Sequence, residues 1–177
     1  MLFYAIMSDA MDKRTNILLI GMPGAGKSTV GRILSKKTGL TLIDTDELIE
    51  TQEGLKLQKI IEQKGLDYFL RVEEDILNNL SISNHIISPG GSAIYSEKAM
   101  LHLKQICVVV YLKSSIERLL GNIHNFETRG IVFKPGQSFE DLYNERCPLY
   151  EKYSDIRVLT DGSNPAEIAR TILRQLK

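Results

Sequence analysis

A single glycine-rich segment constrains the fold and the chemistry of this chain more than any other feature. Residues 21–28 read G-M-P-G-A-G-K-S, which matches the phosphate-binding pattern G-x-x-x-x-G-K-[ST]. The apolar run 16–20 precedes it, and the helix-favouring stretch 29–37 follows it. Because the motif requires this strand–loop–helix context, we predict a nucleotide-binding P-loop rather than a glycine-rich turn with a chance lysine.

The residue types in this loop predict how it would hold a triphosphate. Glycines allow the backbone to wrap around a phosphate, and the loop amides together with the helix N-terminus supply positive potential. We expect Lys27 to reach the β- and γ-phosphates of ATP and the Ser28 hydroxyl to ligate Mg²⁺. The predicted nucleotide-binding residues are Gly24, Ala25, Gly26, Lys27, Ser28 and Thr29.

Composition is that of an ordinary globular protein, and it argues against several function classes. The 177 residues are 43% apolar and 25% charged, and their formal net charge is zero, which argues against a general binder of nucleic acid or of membrane surfaces. No apolar run approaches the ~20 residues of a membrane span. Cys107 and Cys147 predict neither a disulfide framework nor a metal site, and Cys107 is expected in the core. We therefore expect a cytoplasmic monomer whose partner is a small molecule.

Strand-like runs alternate with helical stretches along the chain. Five such runs predict an α/β fold with a five-stranded parallel sheet and helices on both faces. We expect a loose N-terminal extension over residues 1–14 and a single domain over residues 15–177. Residues 123–138 lack periodicity, which predicts a lid. The helix after the lid is expected to be interrupted at Pro148, and the acidic run 73–75 is expected on a solvated helix face.

Distinctive residues follow three of the predicted strands, whose carboxyl ends meet at one edge of a parallel sheet. The P-loop follows the first strand, Asp44 and Asp46 end the second, and Gly90 and Gly91 follow the third. Asp44 is placed to hold Mg²⁺ beside Ser28, and Asp46 to accept a proton from an attacking hydroxyl or to orient it. Capping of the next helix by Asp44 or Thr45 is the alternative. The two glycines would let a substrate approach the backbone, although a plain turn explains them equally well.

Two arginines are candidates for anion binding. Arg129 lies in the predicted lid, from which it can close over the phosphates and stabilise charge that develops in the transition state. The alternative is a solvated loop arginine. Arg146 is placed to clamp a substrate carboxylate bidentately, and the alternative is a surface ion pair with Glu145 or Asp141. The predicted catalytic residues are Lys27, Asp46 and Arg129.

Over roughly residues 15–177 the chain resembles the shikimate kinase family. Residues 21–32 read G-M-P-G-A-G-K-S-T-V-G-R, residues 44–50 read D-T-D-E-L-I-E, and residues 146–150 read R-C-P-L-Y. The resemblance implies a strand order of 2-3-1-4-5, a mobile lid and transfer of the ATP γ-phosphate to a ring hydroxyl of shikimate. By position it assigns the phosphates and Mg²⁺ to Lys27, Ser28 and Asp44, the substrate to Asp46, Gly90, Gly91 and Arg146, and the lid arginine to Arg129.

The acceptor half of this pattern departs from the family at three places. The family's F-R-x-x-E is F-L-R-V-E here, and the apolar spacing of the helix places Leu70 where the carboxylate-binding arginine belongs. Aligning Arg71 with the family's arginine would shift the alignment by one residue and rotate the apolar face of this helix by about 100°. Ser92 replaces the third glycine of the substrate loop, and the lid's R-P-L-L is R-G-I-V from Arg129. Loss of one arm of a carboxylate clamp costs on the order of 2–4 kcal/mol of substrate binding.

Together these patterns predict an ATP-dependent kinase that phosphorylates a hydroxyl of a small carboxylate-bearing metabolite, with shikimate first. A paralogous acceptor such as homoserine is one alternative, with Glu73 or Asp46 meeting its ammonium. A nucleotide-binding module without catalysis is another, but it would have no need of an acid at Asp46. A nucleoside-monophosphate kinase would need more arginines around its acceptor than Arg118, Arg129 and Arg146 provide.

Overall fold

The computed structural model describes residues 14–122, 131–134 and 136–177. In this part of the chain five parallel strands form one sheet in the order β2-β3-β1-β4-β5. The strands are β1 (Asn16–Ile20), β2 (Thr41–Asp44), β3 (His85–Ser88), β4 (Cys107–Lys113) and β5 (Ile156–Leu159). The helices are α1 (Lys27–Thr38), α2 (Thr45–Glu53), α3 (Leu57–Lys64), α4 (Leu66–Asn78), α5 (Glu97–Ile106), α6 (Ile116–Asn122), α7 (Phe139–Tyr153) and α8 (Pro165–Gln175), with a 3₁₀ turn at Ala93–Tyr95.

The two central strands, β1 and β4, are apolar along nearly their whole length because helices cover both faces of the sheet. Every residue of β1 is buried, and so are the first six residues of β4. Continuous apolar runs of this kind are typical of parallel strands with two covered faces. The predicted fold class and strand order are thus confirmed, and Cys107 lies in the core as expected.

Local sequence signals set the helix ends. Asn164 caps α8, accepting hydrogen bonds from the amides of Ala166 and Glu167, and Pro165 occupies the first turn. Pro148, however, does not interrupt α7, which runs unbroken from Phe139 to Tyr153. That prediction was wrong because packing decides here: Leu142, Arg146, Tyr150 and Tyr153 are buried from this helix, and their contacts outweigh the ~3 kcal/mol penalty of an interior proline.

Parts of two predicted segments lie outside the described residues. Of the predicted extension 1–14 only Arg14 is described, and its guanidinium pairs with Asp155 at 2.7 Å. Of the predicted lid, residues 123–130 and 135 are not described, so Arg129 lies outside the described residues. No helix among the described residues combines the length and the apolarity needed to cross a bilayer.

A buried asparagine ties three strands of the sheet together at their amino ends. Asn16, at the start of β1, donates from Nδ2 to the carbonyls of Ile82 and Ile106 at 2.8 and 2.9 Å. Its Oδ1 accepts from the His85 amide, at the start of β3, at 2.9 Å. Because the side chain is 1% exposed, it satisfies polar backbone groups that water does not reach.

We expect Asn16→Ala to lower the free energy of unfolding by about 2–4 kcal/mol, because it removes three hydrogen bonds of a buried side chain and leaves one partly buried amide and two partly buried carbonyls without partners. Urea unfolding followed by circular dichroism measures this change. Asn79→Ala is the matched control: its side chain bonds only the exposed Asp75 carbonyl, and we expect a change within about 0.5 kcal/mol. Equal effects of the two substitutions would contradict the assigned role.

Candidate active site

One large cavity, about 710 Å³ in volume, lies at the carboxyl edge of the sheet. The loops after β1, β2 and β3 all contribute to its lining, which fits the general placement of ligands in open α/β sheets. Predicted site residues in the lining are Gly24, Ala25, Gly26, Lys27, Ser28, Thr29, Asp44, Asp46, Gly90, Gly91 and Arg146. All predicted site residues within the described part of the chain are therefore brought together in one cavity.

The P-loop backbone has the conformation that the glycines were expected to allow. Gly24 and Gly26 have φ angles of +85° and +89°, in the left-handed region that side chains disfavour. The Lys27 ammonium folds back over its own loop and donates to the carbonyls of Gly21 at 2.9 Å and Met22 at 3.3 Å. Burial lowers the pKa of Lys27 to about 8, against the opposing charge of Asp46.

Ser28 and Asp44 meet directly across the loop. The Ser28 hydroxyl donates to Oδ2 of Asp44 at 2.9 Å, while Oδ1 of Asp44 accepts from the Asp46 amide at 3.1 Å. Asp44 therefore caps α2, as the alternative interpretation held, and also faces Ser28. No cluster of three or more potential metal-ligating side chains occurs in the described segments. A hydroxyl with a single carboxylate nevertheless fits Mg²⁺, which binds nucleotides through few protein oxygens and completes its shell with phosphate and water.

On one side of the Gly90 turn lie two carboxyl groups. A Cβ at Gly90 would stand 2.8 Å from Oε1 of Glu73 and 2.9 Å from Oδ1 of Asp46, so only glycine fits without movement of both acids. Burial, followed by the charge of Asp44, raises the pKa of Asp46 to about 6. Burial is also the main cause that raises the pKa of Glu73 to about 7.

The burial of Glu73 corrects the expectation that residues 73–75 form a solvated helix face. Glu73 is 2% exposed, and it lies on the face of α4 that also buries Phe69, Val72 and Leu77. The spacing i, i+3, i+4, i+8 from Phe69 includes Glu73 and could have identified it. A charged residue on the apolar stripe of a helix is a signal for a functional site.

Arg146 lies on the other side of the same turn. Its side chain is 1% exposed, and it donates to the Tyr95 hydroxyl and to the Val132 carbonyl, both at 3.0 Å. A Cβ at Gly91 would stand 2.9 Å from its Nη1. Among the described residues no carboxylate oxygen lies within 4 Å of Arg146, and a buried cation without such a partner suits an anionic ligand.

The alternative surface ion pair for Arg146 is wrong. Glu145 is bound by Lys134, with both carboxylate oxygens at 3.0 Å from the ammonium, and Asp141 closes the capping box of α7 with Ser138. Both candidate partners are thus held elsewhere, which leaves the Arg146 guanidinium directed at the cavity.

The helix register around Leu70 is the one that the apolar spacing predicted. Leu70 is partly buried and packs against the small apolar cluster that contains Phe69 and Val72. Arg71 is exposed and does not line the large cavity. The structure therefore provides no arginine from this stretch of α4 to the acceptor side of the cavity.

Sequence reasoning missed a group of residues on the β4 side of the P-loop. Arg118 and Asn122 of α6 line the large cavity with Pro165 and Ile168 of α8. Arg118 donates to the Ser163 carbonyl at 2.9 Å, and the Asn122 side chain donates to the Gly24 carbonyl at 3.1 Å. Their role depends on the packing of distant segments, so no local pattern identified them.

Comparison with known proteins gives a consistent result across the chain. A family model described as shikimate kinase matches residues 23–177. A shikimate kinase of Thiobacillus denitrificans is 35% identical over 169 residues, which cover 94% of this chain and 92% of that relative.

Solved structures give the same match. A shikimate kinase from Acinetobacter baumannii, solved in complex with shikimate, superposes with a TM-score of 0.85 at 33% identity, covering 96% of each chain. The shikimate kinase from Aquifex aeolicus superposes with a TM-score of 0.76 at 32% identity, covering 91% of this chain and 95% of that one.

We expect Lys27→Met to raise the free energy of unfolding of the ligand-free protein by about 1–2 kcal/mol at pH 7, because it removes a buried ammonium. The pKa of Lys27 is about 8 in the folded state and 10.5 as its ordinary value. Burial of the Lys27 ammonium therefore lowers the free energy of unfolding of the unsubstituted protein fully below pH 8, and this destabilisation decreases as pH rises towards 10.5.

Urea unfolding of parent and variant at several pH values measures this difference. Lys36→Met, on the exposed side of α1, is the control and should leave the difference near zero at every pH. A Lys27→Met protein that is less stable than the parent at pH 7 would contradict the assigned desolvation.

Proposed function

The chain belongs to the shikimate kinase family, and we propose that it transfers the γ-phosphate of ATP to a ring hydroxyl of shikimate. Phosphotransfer to a hydroxyl group is common to the family. The observation that carries the choice of acceptor is the buried guanidinium of Arg146, which faces the same cavity as the P-loop and pairs with no described carboxylate. Such a cation favours an acceptor that bears a carboxylate.

The P-loop, α6 and α8 are proposed to form the nucleotide half of the site, because all three line the large cavity. In this proposal the loop amides and Lys27 hold the phosphates, and Lys27 exchanges its bonds to the Gly21 and Met22 carbonyls for bonds to phosphate oxygens. Arg118 and Pro165 line the same cavity, and their flat surfaces suit the faces of an adenine base.

The residues on the two sides of the Gly90–Gly91 turn are proposed to form the acceptor half of the site. Arg146 is proposed to bind the shikimate carboxylate near Gly91, and Asp46 to orient the attacking hydroxyl near Gly90. Because Leu70 supplies no charge, the carboxylate is held by fewer cations than the family pattern provides. We therefore expect weaker acceptor binding than a two-arginine clamp would give.

Ser28 and Asp44 are the residues that would hold Mg²⁺, since their oxygens lie 2.9 Å apart at the end of the phosphate loop. When bound, the ion neutralises charge on the transferred phosphate. Arg129, which lies outside the described residues, is proposed from its place in the sequence to close over the phosphates. We further infer a cytoplasmic monomer, and the two free cysteines support the reducing compartment.

The comparisons give no support to a homoserine acceptor or to a nucleotide-binding module without catalysis. The relatives reported above, at 32–35% identity, are all named shikimate kinase. A nucleotide-binding module without catalysis would also leave a buried acid at Asp46 without a purpose, because a buried carboxylate disfavours folding.

The test of the proposed function is ADP release, coupled to NADH oxidation, with shikimate and homoserine measured side by side over a range of concentrations. We expect saturable turnover of shikimate that depends on ATP and Mg²⁺. Turnover of homoserine alone would overturn the choice of acceptor, and turnover of neither would overturn the proposed kinase activity.

We expect Asp46→Asn to lower kcat with shikimate by about 10²–10⁴-fold, because the amide cannot accept the hydroxyl proton. Binding of ATP, measured by calorimetry, should change by less than about threefold, since Asp46 lies on the acceptor side. Equal kcat for variant and parent would contradict the role of Asp46, and a parallel loss of ATP binding would show that the substitution disturbs the P-loop instead.

A further inference from the structure

Two buried carboxyl oxygens in the site have no hydrogen-bond partner. They are Oδ1 of Asp46 and Oε1 of Glu73, and both lie within 3 Å of the point where a Cβ on Gly90 would stand. Buried polar atoms are almost always bonded, and one left unpaired is strongly unfavourable. Two such atoms directed at one point therefore require an explanation.

A positively charged partner does not explain them. Among the described residues, the ion pairs formed by lysine and arginine involve carboxylates other than these two. The buried guanidinium of Arg146 donates to the Tyr95 hydroxyl and the Val132 carbonyl instead. An ionised Glu73 would thus be buried beside another acid with no cation of the described residues within 4 Å.

Glu73 also faces a second, smaller cavity. Leu70 and Ser92 line a small cavity of about 150 Å³ together with Glu73. Neither Leu70 nor Ser92 carries a charge, and Arg71 and Glu74 line the same small cavity. Arg71 is exposed and forms no ion pair with Glu73 among the described residues, so this cavity supplies Glu73 with no cationic partner.

The groups that face Glu73 come from four segments. Burial and the charge of Asp46, from α2, raise the pKa of Glu73, whereas the Ser92 hydroxyl, Arg146 of α7 and Lys27 of α1 lower it. The balance leaves the pKa at about 7, so a substantial fraction of Glu73 carries a proton near neutral pH. A protonated carboxyl is a hydrogen-bond donor, which is what the unpaired oxygen of Asp46 lacks.

We propose that Glu73 is a positioning residue that donates a hydrogen bond from its protonated carboxyl to Oδ1 of Asp46. This bond satisfies both buried oxygens and holds the second oxygen of Asp46 towards the hydroxyl of the acceptor. The inference rests on the proposed function in one respect, the assignment of Asp46 as the group that orients that hydroxyl.

Two substitutions separate a donor from an anion at this position. Glu73→Gln keeps the size and supplies an amide donor, whereas Glu73→Met has a similar length and no donor. At a pH of about 6.5 we expect Glu73→Gln to keep kcat/KM for shikimate within about threefold, and Glu73→Met to lower it by at least about 30-fold. Glu74→Gln, at the neighbouring partly exposed position, is the matched control and should behave as the parent.

The pH dependence has a defined sign. Glu73 loses its proton as pH rises through about 7, so the parent should lose about 20-fold in kcat/KM between pH ~6.5 and ~8.5 relative to Glu73→Gln, which has no proton to lose. The KM for ATP should not follow this dependence. A Glu73→Gln enzyme as impaired as Glu73→Met, or a parent whose pH profile superimposes on that of Glu73→Gln, would overturn the proposal.

A second measurement does not depend on turnover. In protein labelled with ¹³C-glutamate, the Glu73 carboxyl signal, assigned by its absence from Glu73→Gln, should titrate near pH 7. It should titrate at least about half a unit lower in Asp46→Asn, because the neighbouring charge is gone. An unshifted midpoint in Asp46→Asn would overturn the proposal even if the protein phosphorylates shikimate. Absence of shikimate turnover with the expected titration would overturn only the proposed function.

Discussion

The site depends on a turn after β3 that carries no side chain at two consecutive positions. A Cβ at Gly90 would lie within 3 Å of carboxyl oxygens of Asp46 and Glu73, and a Cβ at Gly91 within 3 Å of a guanidinium nitrogen of Arg146. Helices α2, α4 and α7 are far apart in sequence, and each brings one charged side chain, Asp46, Glu73 or Arg146, to this turn. A side chain at either glycine would collide with the charged groups of Asp46 and Glu73 or of Arg146 and displace them.

The same turn also keeps opposite charges in one cavity without letting them neutralise each other. Arg146 forms its hydrogen bonds with Tyr95 and Val132, and Lys27 forms its bonds with P-loop carbonyls. Each charge therefore remains available to a ligand, at the expense of the folded state, because buried charges without partners are unfavourable. The continuously apolar strands β1 and β4 provide the rigid frame on which such an arrangement persists.

The parts of this protein that sequence could predict are those set by local pattern. The P-loop of residues 21–28 and the alternation of strands and helices follow from residues adjacent in the chain, whereas the strand order was implied only by the resemblance to the shikimate kinase family. Asp44 illustrates a limit of such reasoning, because capping and contact with Ser28 were weighed as alternatives and the structure has both. The burial of Glu73, the unbroken α7 across Pro148 and the contribution of Arg118 all depend on which distant segments pack together. No local pattern contains that information.

Leu70 has two electrostatic consequences that act in opposite directions. Under the proposed function, an acceptor carboxylate held by one arginine rather than by a two-arginine clamp would bind more weakly by on the order of 2–4 kcal/mol. The absence of a second arginine also removes the charge that would keep Glu73 ionised, and a neutral Glu73 no longer repels the anionic acceptor. With a pKa of about 7, Glu73 carries less negative charge near neutral pH and would repel an anionic acceptor less than a fully ionised carboxylate would. In the proposed function, protonation of Glu73 would therefore offset part of the binding free energy that a second cation on α4 would have supplied.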